Sequence, residues 1–286
     1  MELFLDLLRS VVYGVIEGIT EWLPISSTGH MILAEQVLKF SLSAEFMEMF
    51  RVVIQLGAIM AVVVLYFKKL WPFCGDNGRD SGLAKHIRWP VLRLWLKIIV
   101  ACLPAAVLGL LLDDWMDAHF YNSVVVAVML IVYGIAFILI ERRPRVPTTT
   151  KLSRITYKQA IIVGAWQVLA LIPGTSRSGA TIIGGLLFGM SRACASQFTF
   201  FLAIPVMAGA SGLKLVKFLV GGGVFTVAEV GALLVGCIVA FVVSIMAIRF
   251  LMDYVKKHTF TIFGWYRIAL GILVLGIWAL QTFVLA

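Results

Sequence analysis

Two short segments concentrate the residue types that could move a phosphoryl group. In the first, Glu17 and Glu21 stand four apart and Ser26, Ser27, Thr28 and His30 follow within the run EGITEWLPISSTGH. On a helix the two glutamates share a face, and carboxylates held close in a desolvated place share a proton, pair with an arginine or bind a cation. A divalent metal bridging Glu17 and Glu21 to a diphosphate would meet that requirement. A serine attacks phosphorus only when its proton is removed and the developing charge is stabilised. His30, three residues after Ser27, lies within a helical turn of it and is the candidate base. The blander alternative makes the glutamates a solvated vestibule and His30 a cap or packing residue.

The second segment, PGTSRSGAT from Pro173 to Thr181, sets an arginine among hydroxyls and glycines just before a helix start. Free N–H groups at such a start, the helix dipole and a fork of guanidinium donors make an anion site that suits phosphate. Ser176, Ser178, Gly179 and Thr181 are the binding candidates and Arg177 carries the charge. A snorkelling arginine or a structural ion pair is the competing reading of Arg177, but charges at membrane depth are costly and mark functional sites.

These segments lie in a chain whose composition sets their surroundings. Of 286 residues 61% are apolar and 14% charged, and the mean hydropathy is +1.00. A disordered chain, a disulfide scaffold and an ordinary soluble domain are excluded. The net charge of +9 does not point to nucleic acid, because no basic run interleaves with aromatic residues and the cations collect in loops. Cys74, Cys102, Cys194 and Cys237 have no metal spacing and read as small packing residues. The first 25 residues carry Glu2, Asp6, Glu17 and Glu21 and lack a basic start and an A-x-A site, so they are read as part of the mature chain.

A spanning helix needs about 20 apolar residues, and six stretches qualify: about 49–67, 98–112, 124–141, 198–220, 227–248 and 262–284. The segments with Lys68, Lys69, Arg79, Lys85, Arg88, Arg93 and Lys97, and with Arg142, Arg143, Arg145, Lys151, Arg154 and Lys158, are expected inside. The stretch 113–123, with Asp113, Asp114 and Asp117, is expected outside. Residues 8–40 and 159–190 fit no simple span. Polar, helix-breaking sequence at membrane depth is tolerated only against protein or a water-filled cavity, so each is read as a re-entrant hairpin. An offset of 150 positions superposes Gly14 on Gly164, Ser26 on Ser176, Gly29 on Gly179, Ser41 on Ser191 and Phe50 on Phe200, with Gln167 in the place of Glu17. The expected architecture is an all-α integral membrane protein of one domain, with about six spanning helices and two re-entrant hairpins. Repeat one covers about 1–141 and an inverted repeat two about 159–286, with a polar site where the tips meet.

The motifs EGITEWLPISSTGH and PGTSRSGAT resemble the two signatures of the bacterial undecaprenyl-diphosphatase family of the bacitracin-resistance type, and the similarity runs through almost the whole chain. The resemblance implies hydrolysis of undecaprenyl diphosphate to the monophosphate and inorganic phosphate, with a divalent cation such as Mg²⁺ or Ca²⁺. It places functional positions at Glu17, Glu21, Ser27 and His30, and at Ser176, Arg177, Ser178 and Thr181. It departs at Arg51, where the family pattern FEVVIQLG has an acidic residue. It also implies a multi-pass protein of the bacterial plasma membrane, its site facing the outer, periplasmic side. The implied partners are the bilayer, a polyprenyl diphosphate and, as an assembly, a homodimer; nucleic acid is not among them.

Two rivals have discriminating features. A secondary transporter or flippase for an anionic or lipid-phosphate substrate would also use inverted repeats and broken helices, but it does not need Ser27 and His30 beside two glutamates. A type-2 phosphatidic acid phosphatase would share a PSGH-like element, yet its K-x6-RP and SR-x5-H elements do not occur. A structural scaffold would not place so many polar groups at depth.

Overall fold

A computed structural model of the chain describes residues 2–75, 85–143 and 146–283; Arg79 and Arg145 of the basic segments lie outside them. The protein is all-α, with no strand among the described residues beyond the isolated bridges Phe73–Ile87 and Thr149–Met190. Its helices are α1 (Glu2–Thr20), α2 (Ser27–Val37), α3 (Ala44–Val53), α4 (Gln55–Leu65), α5 (Phe67–Leu70), α6 (Trp89–Phe120), α7 (Ser123–Arg142), α8 (Tyr157–Val168), α9 (Arg177–Leu187), α10 (Arg192–Val220), α11 (Val227–Lys257) and α12 (Thr261–Phe283). Among the described residues six are long and apolar enough to cross a membrane: α3 with α4 as one span, then α6, α7, α10, α11 and α12. All six stretches singled out in the sequence are among them. The acidic stretch after residue 112 is not a loop, because α6 continues to Phe120 before Asn122 starts α7 by accepting from Val125 N–H.

Helix starts follow local chemistry. Ser43, Thr156, Ser191 and Thr226 accept N–H groups of the first turns of α3, α8, α10 and α11, and Gln159 and Glu229 close capping boxes. Helices then approach through small residues, as they must where hydrocarbon gives no hydrophobic drive. Gly14 and Gly18 of α1 lie against the backbone of α11 at Gly236 and Ala240. Gly164 of α8 lies against Ala101 of α6, and Gly134 of α7 meets Gly264 of α12. The packing pairs recur between the halves: α1 rests on α11 as α8 rests on α6, and α4 on α11 as α10 on α6. The contact of α2 with α12 has its counterpart in that of α9 with α7. Leu110, Leu111, Leu234 and Ile238 are exposed on the outer surface, while Trp22, Phe198, Phe200, Phe201 and Phe260 fill the largest buried cluster.

The two segments that could do chemistry have one form. A helix ends, a short turn follows, and a second helix begins: α1–turn–α2 and α8–turn–α9. The second helix begins just after a serine with left-handed backbone, Ser26 at φ 73° and ψ 106° and Ser176 at φ 70° and ψ 120°. Among the described residues these are the only non-glycine positions with positive φ.

Candidate active site

The first turn carries the candidate hydroxyl. Ser27, the first residue of α2, donates from Oγ to Glu21 Oε2 at 3.3 Å. The other oxygen of Glu21 accepts from Arg177 Nη2 at 2.7 Å, across 156 residues of sequence. Both ends of that ion pair are nearly buried, with side-chain exposures of 12% and 8%. Ser27, Glu21 and Arg177 thus form one hydrogen-bonded chain that joins the two turns. Arg177 is held further by Thr199 O at 2.9 Å and lies over the Trp22 ring at 5.9 Å. Its Nε is buried without a partner, so the guanidinium keeps a donor in reserve.

Glu17, one helical turn before Glu21, is 1% exposed, and its Oε1 has no hydrogen-bond partner. A buried carboxylate oxygen without a donor is costly. Two adjacent carboxylates and one arginine leave a negative charge that a proton or a cation must balance. Glu17, Ser27 and Thr28 face a cavity of about 1260 Å³. Its farther wall carries Glu48, Arg51, Tyr121 and Lys214, and it extends to Gly221–Gly223 between α10 and α11. Arg51, where the sequence departs from the pattern it resembles, pairs with Glu35.

The remaining candidates divide. The Ser176 hydroxyl accepts from Gly179 N–H at 3.2 Å and lies 3.1 Å from Ser178 Oγ, so part of the expected N–H cradle is already capped from within. Ser178 also reaches across to Leu23 O at 3.5 Å. Thr181 donates back to Arg177 O at 2.9 Å and accepts from Thr199, which makes it a brace for the turn. Ser26 is fully buried, with an unpartnered hydroxyl. His30 is bonded away from Ser27. Its Nδ1 lies 2.7 Å from Ser26 O, which can only accept, so Nδ1 carries hydrogen and Nε2 of the neutral ring takes the Tyr266 hydroxyl at 2.7 Å. The reason is helical geometry: a side chain folds back over the carbonyl four residues earlier, and α2 brings Ser26, not Ser27, to that place.

Two residues of this site were not singled out in the sequence. Tyr266 sits in α12 against His30, the rings parallel within 8° and 5.6 Å apart. Arg267, its neighbour, is fully buried and donates to Pro24 O in the first turn and to Gly174 O and Thr175 O in the second. Arg267 had a signal, a charge inside the apolar span 262–284. Tyr266 had none, because its partner is 236 positions away.

Comparison with known proteins agrees with the motifs. The sequence model described as bacitracin resistance protein BacA matches residues 10–273. An undecaprenyl-diphosphatase of Enterococcus faecalis is 60% identical over 96% of this chain and 99% of its own length. Undecaprenyl-diphosphatases of Streptococcus thermophilus and Desulfitobacterium hafniense are 56% and 55% identical, over 95% and 98% of this chain and 93% and 98% of theirs. On the extent of that match, this chain belongs to the bacitracin resistance protein BacA family.

Proposed function

We propose that this membrane protein is an undecaprenyl-diphosphate phosphatase that releases inorganic phosphate and returns the monophosphate lipid carrier for cell-wall synthesis. The observation that carries the reading is the Ser27–Glu21–Arg177 chain, with Ser27 at the surface of a cavity that can admit a diphosphate. The names and high identity of the relatives support it. A transporter has no use for a serine hydroxyl bonded to a carboxylate that an arginine already holds.

In the mechanism we propose, the diphosphate enters the cavity while the polyprenyl tail stays in lipid. Ser27 Oγ passes its proton to Glu21 Oε2 and attacks the terminal phosphorus. The anhydride P–O bond breaks, and undecaprenyl phosphate leaves with that bond's electron pair. Water then hydrolyses the phosphoserine to free phosphate. Proton transfer neutralises Glu21, and Arg177 then loses its ionic partner as negative charge develops on the phosphoryl oxygens. Its donors become available at the step that needs them. The donor set suits a hard cation: Glu17 Oε1 is unpartnered and Glu21 adjoins it, and Mg²⁺ typically takes one or two carboxylates plus phosphate oxygens. A bound Mg²⁺ or Ca²⁺ would supply charge neutralisation on the diphosphate. His30, fixed between Ser26 O and Tyr266, sets the start of α2 in this reading instead of taking the serine proton.

The finer architecture belongs to the same proposal. We read α1–α2 and α8–α9 as re-entrant hairpins of an inverted repeat within a single membrane domain. The left-handed serines at matching positions and the recurrence of packing pairs between the halves support that reading. With the basic segments inside, the cavity wall at Tyr121 and Gly221–Gly223 faces outward, which suits a periplasmic site in the plasma membrane.

The test is phosphate release from undecaprenyl diphosphate by purified protein, with and without chelator, beside Ser27→Ala and Arg177→Ala. Chelator-sensitive release abolished by Ser27→Ala and cut about 10²–10³-fold by Arg177→Ala is expected. No release by folded wild type, or near-normal turnover of either variant, overturns the assignment. Acid-quenched phosphate on Ser27 separates the covalent route from direct attack by water.

A further inference from the structure

Arg267 is a guanidinium inside a spanning helix, 0% exposed, and no carboxylate pairs with it among the described residues. Such a buried charge is expensive, and it persists only where its donors are satisfied and its place is fixed. Its partners are all backbone carbonyls. Nη1 donates to Pro24 O at 3.2 Å, while Nη2 donates to Gly174 O at 2.8 Å and Thr175 O at 2.9 Å. Nε points at Leu130 O in α7 at 3.4 Å, and the guanidinium lies over the Tyr133 ring at 5.6 Å. One rigid fork therefore spans the first turn, the second turn and the α7 wall behind them.

The carbonyls it gathers lie just before the two strained positions. Pro24 precedes Ser26 by two residues, and Thr175 immediately precedes Ser176. Left-handed backbone at a serine is unfavourable by itself and survives only where the surroundings over-determine it. Across the same junction run the Arg177–Glu21 pair and the Ser178 to Leu23 contact. Shifting either turn would lengthen the Ser27–Glu21–Arg177 chain, since Glu21 and Ser27 flank the first turn and Arg177 follows the second.

We infer that Arg267 is a positioning residue of the hydrolysis proposed above, pinning the two serine turns together so that Arg177 and Glu21 are in register with Ser27. It lies behind the turns and does not contact substrate. The inference rests on the phosphatase reading, and the experiment separates the two failures.

The test uses full-length protein in detergent, with steady-state hydrolysis of undecaprenyl diphosphate and a thermal unfolding midpoint for each variant. A lysine keeps the charge but cannot fork across three carbonyls. Arg267→Lys is expected to lose about 10²-fold in kcat with KM within about threefold of wild type, at a temperature where the variant remains folded. Arg267→Ala should regain part of its kcat when guanidinium is added at millimolar concentration, and ammonium should not substitute. If neither Arg267 variant can be purified folded, Tyr133→Leu decides: removing the ring face should lower kcat several-fold at constant KM, whereas Tyr133→Phe should match wild type. Wild-type kcat in the folded variant overturns the inference. A loss that tracks only the folded fraction, or a raised KM with unchanged kcat, overturns it as well. If wild type itself releases no phosphate, the phosphatase reading fails first.

Discussion

At the scale of single residues the geometry separates two candidate bases. Glu21 Oε2 lies 3.3 Å from Ser27 Oγ, while both nitrogens of His30 are engaged with Ser26 O and Tyr266. General-base catalysis is worth about 10²–10⁴-fold. Glu21→Gln is therefore expected to lose that much kcat and His30→Gln markedly less; the reverse order in steady-state hydrolysis would return the serine proton to the histidine. Ser26 gives a second prediction. Its positive φ costs about 1–3 kcal/mol, whereas glycine adds only about 0.4–1 kcal/mol of unfolded-state entropy, and its hydroxyl is already unpartnered. Ser26→Gly should raise unfolding stability by about 1 kcal/mol, read as a higher Tm. A lower Tm would mean that this hydroxyl is satisfied in a way the geometry does not show. Glu17, Glu21, Ser27 and Arg177 were legible in the sequence because polar groups at depth need a reason. The hydrogen-bond partners of His30 were not, since spacing within a helix says nothing of a tyrosine arriving from α12.

At the scale of elements, the turn between α8 and α9 depends on a glycine. Gly174 has φ +89°, and a Cβ there would come within 2.5 Å of Val126 O and 2.7 Å of its Cα in α7. Backbone cannot yield as a flexible side chain does, so Gly174→Ala combines a steric clash with conformational strain. We expect a loss of about 2–3 kcal/mol and a fall in kcat larger than the loss of folded protein explains, because Gly174 O is also an Arg267 partner. Equal kcat per folded molecule, measured beside the unfolding curve, would mean that the turn tolerates the shift. The spans themselves were legible, since about 20 apolar residues have few other uses. Their ends were less so. Asp113, Asp114 and Asp117 suggested a loop, but helical backbone needs only its i→i−4 bonds, and α6 runs past them to Phe120. The one-residue break at Ile54 between α3 and α4, where the backbone stays in the right-handed helical region, left no mark in the hydropathy of that span.

At the scale of the molecule, what was legible is the offset of 150 positions, and what was not is how the halves engage. Ser26 and Ser176 adopt nearly the same backbone, and helices α1 and α8 each rest on a long helix of the other half, α11 and α6. Each half therefore lacks a partner for its first helix until the other half is present, which is why neither hairpin is intelligible from its own segment alone. Under the inverted-repeat reading proposed above, each first helix also has an assigned face. If α1 and α2 enter and leave on one face, Glu2 lies on the same side as His119 at the end of α6, and Lys256 at the end of α11 lies on the opposite side. All three are exposed. In a background with the four cysteines replaced, Glu2→Cys and His119→Cys should react with an impermeant maleimide from one face of intact cells, and Lys256→Cys only after permeabilisation. Labelling of residues 2 and 119 from opposite faces would make α1 a full crossing. The first turn could then no longer enter from the face opposite to the second, and the inverted repeat would have to be abandoned even if the phosphatase reading stood.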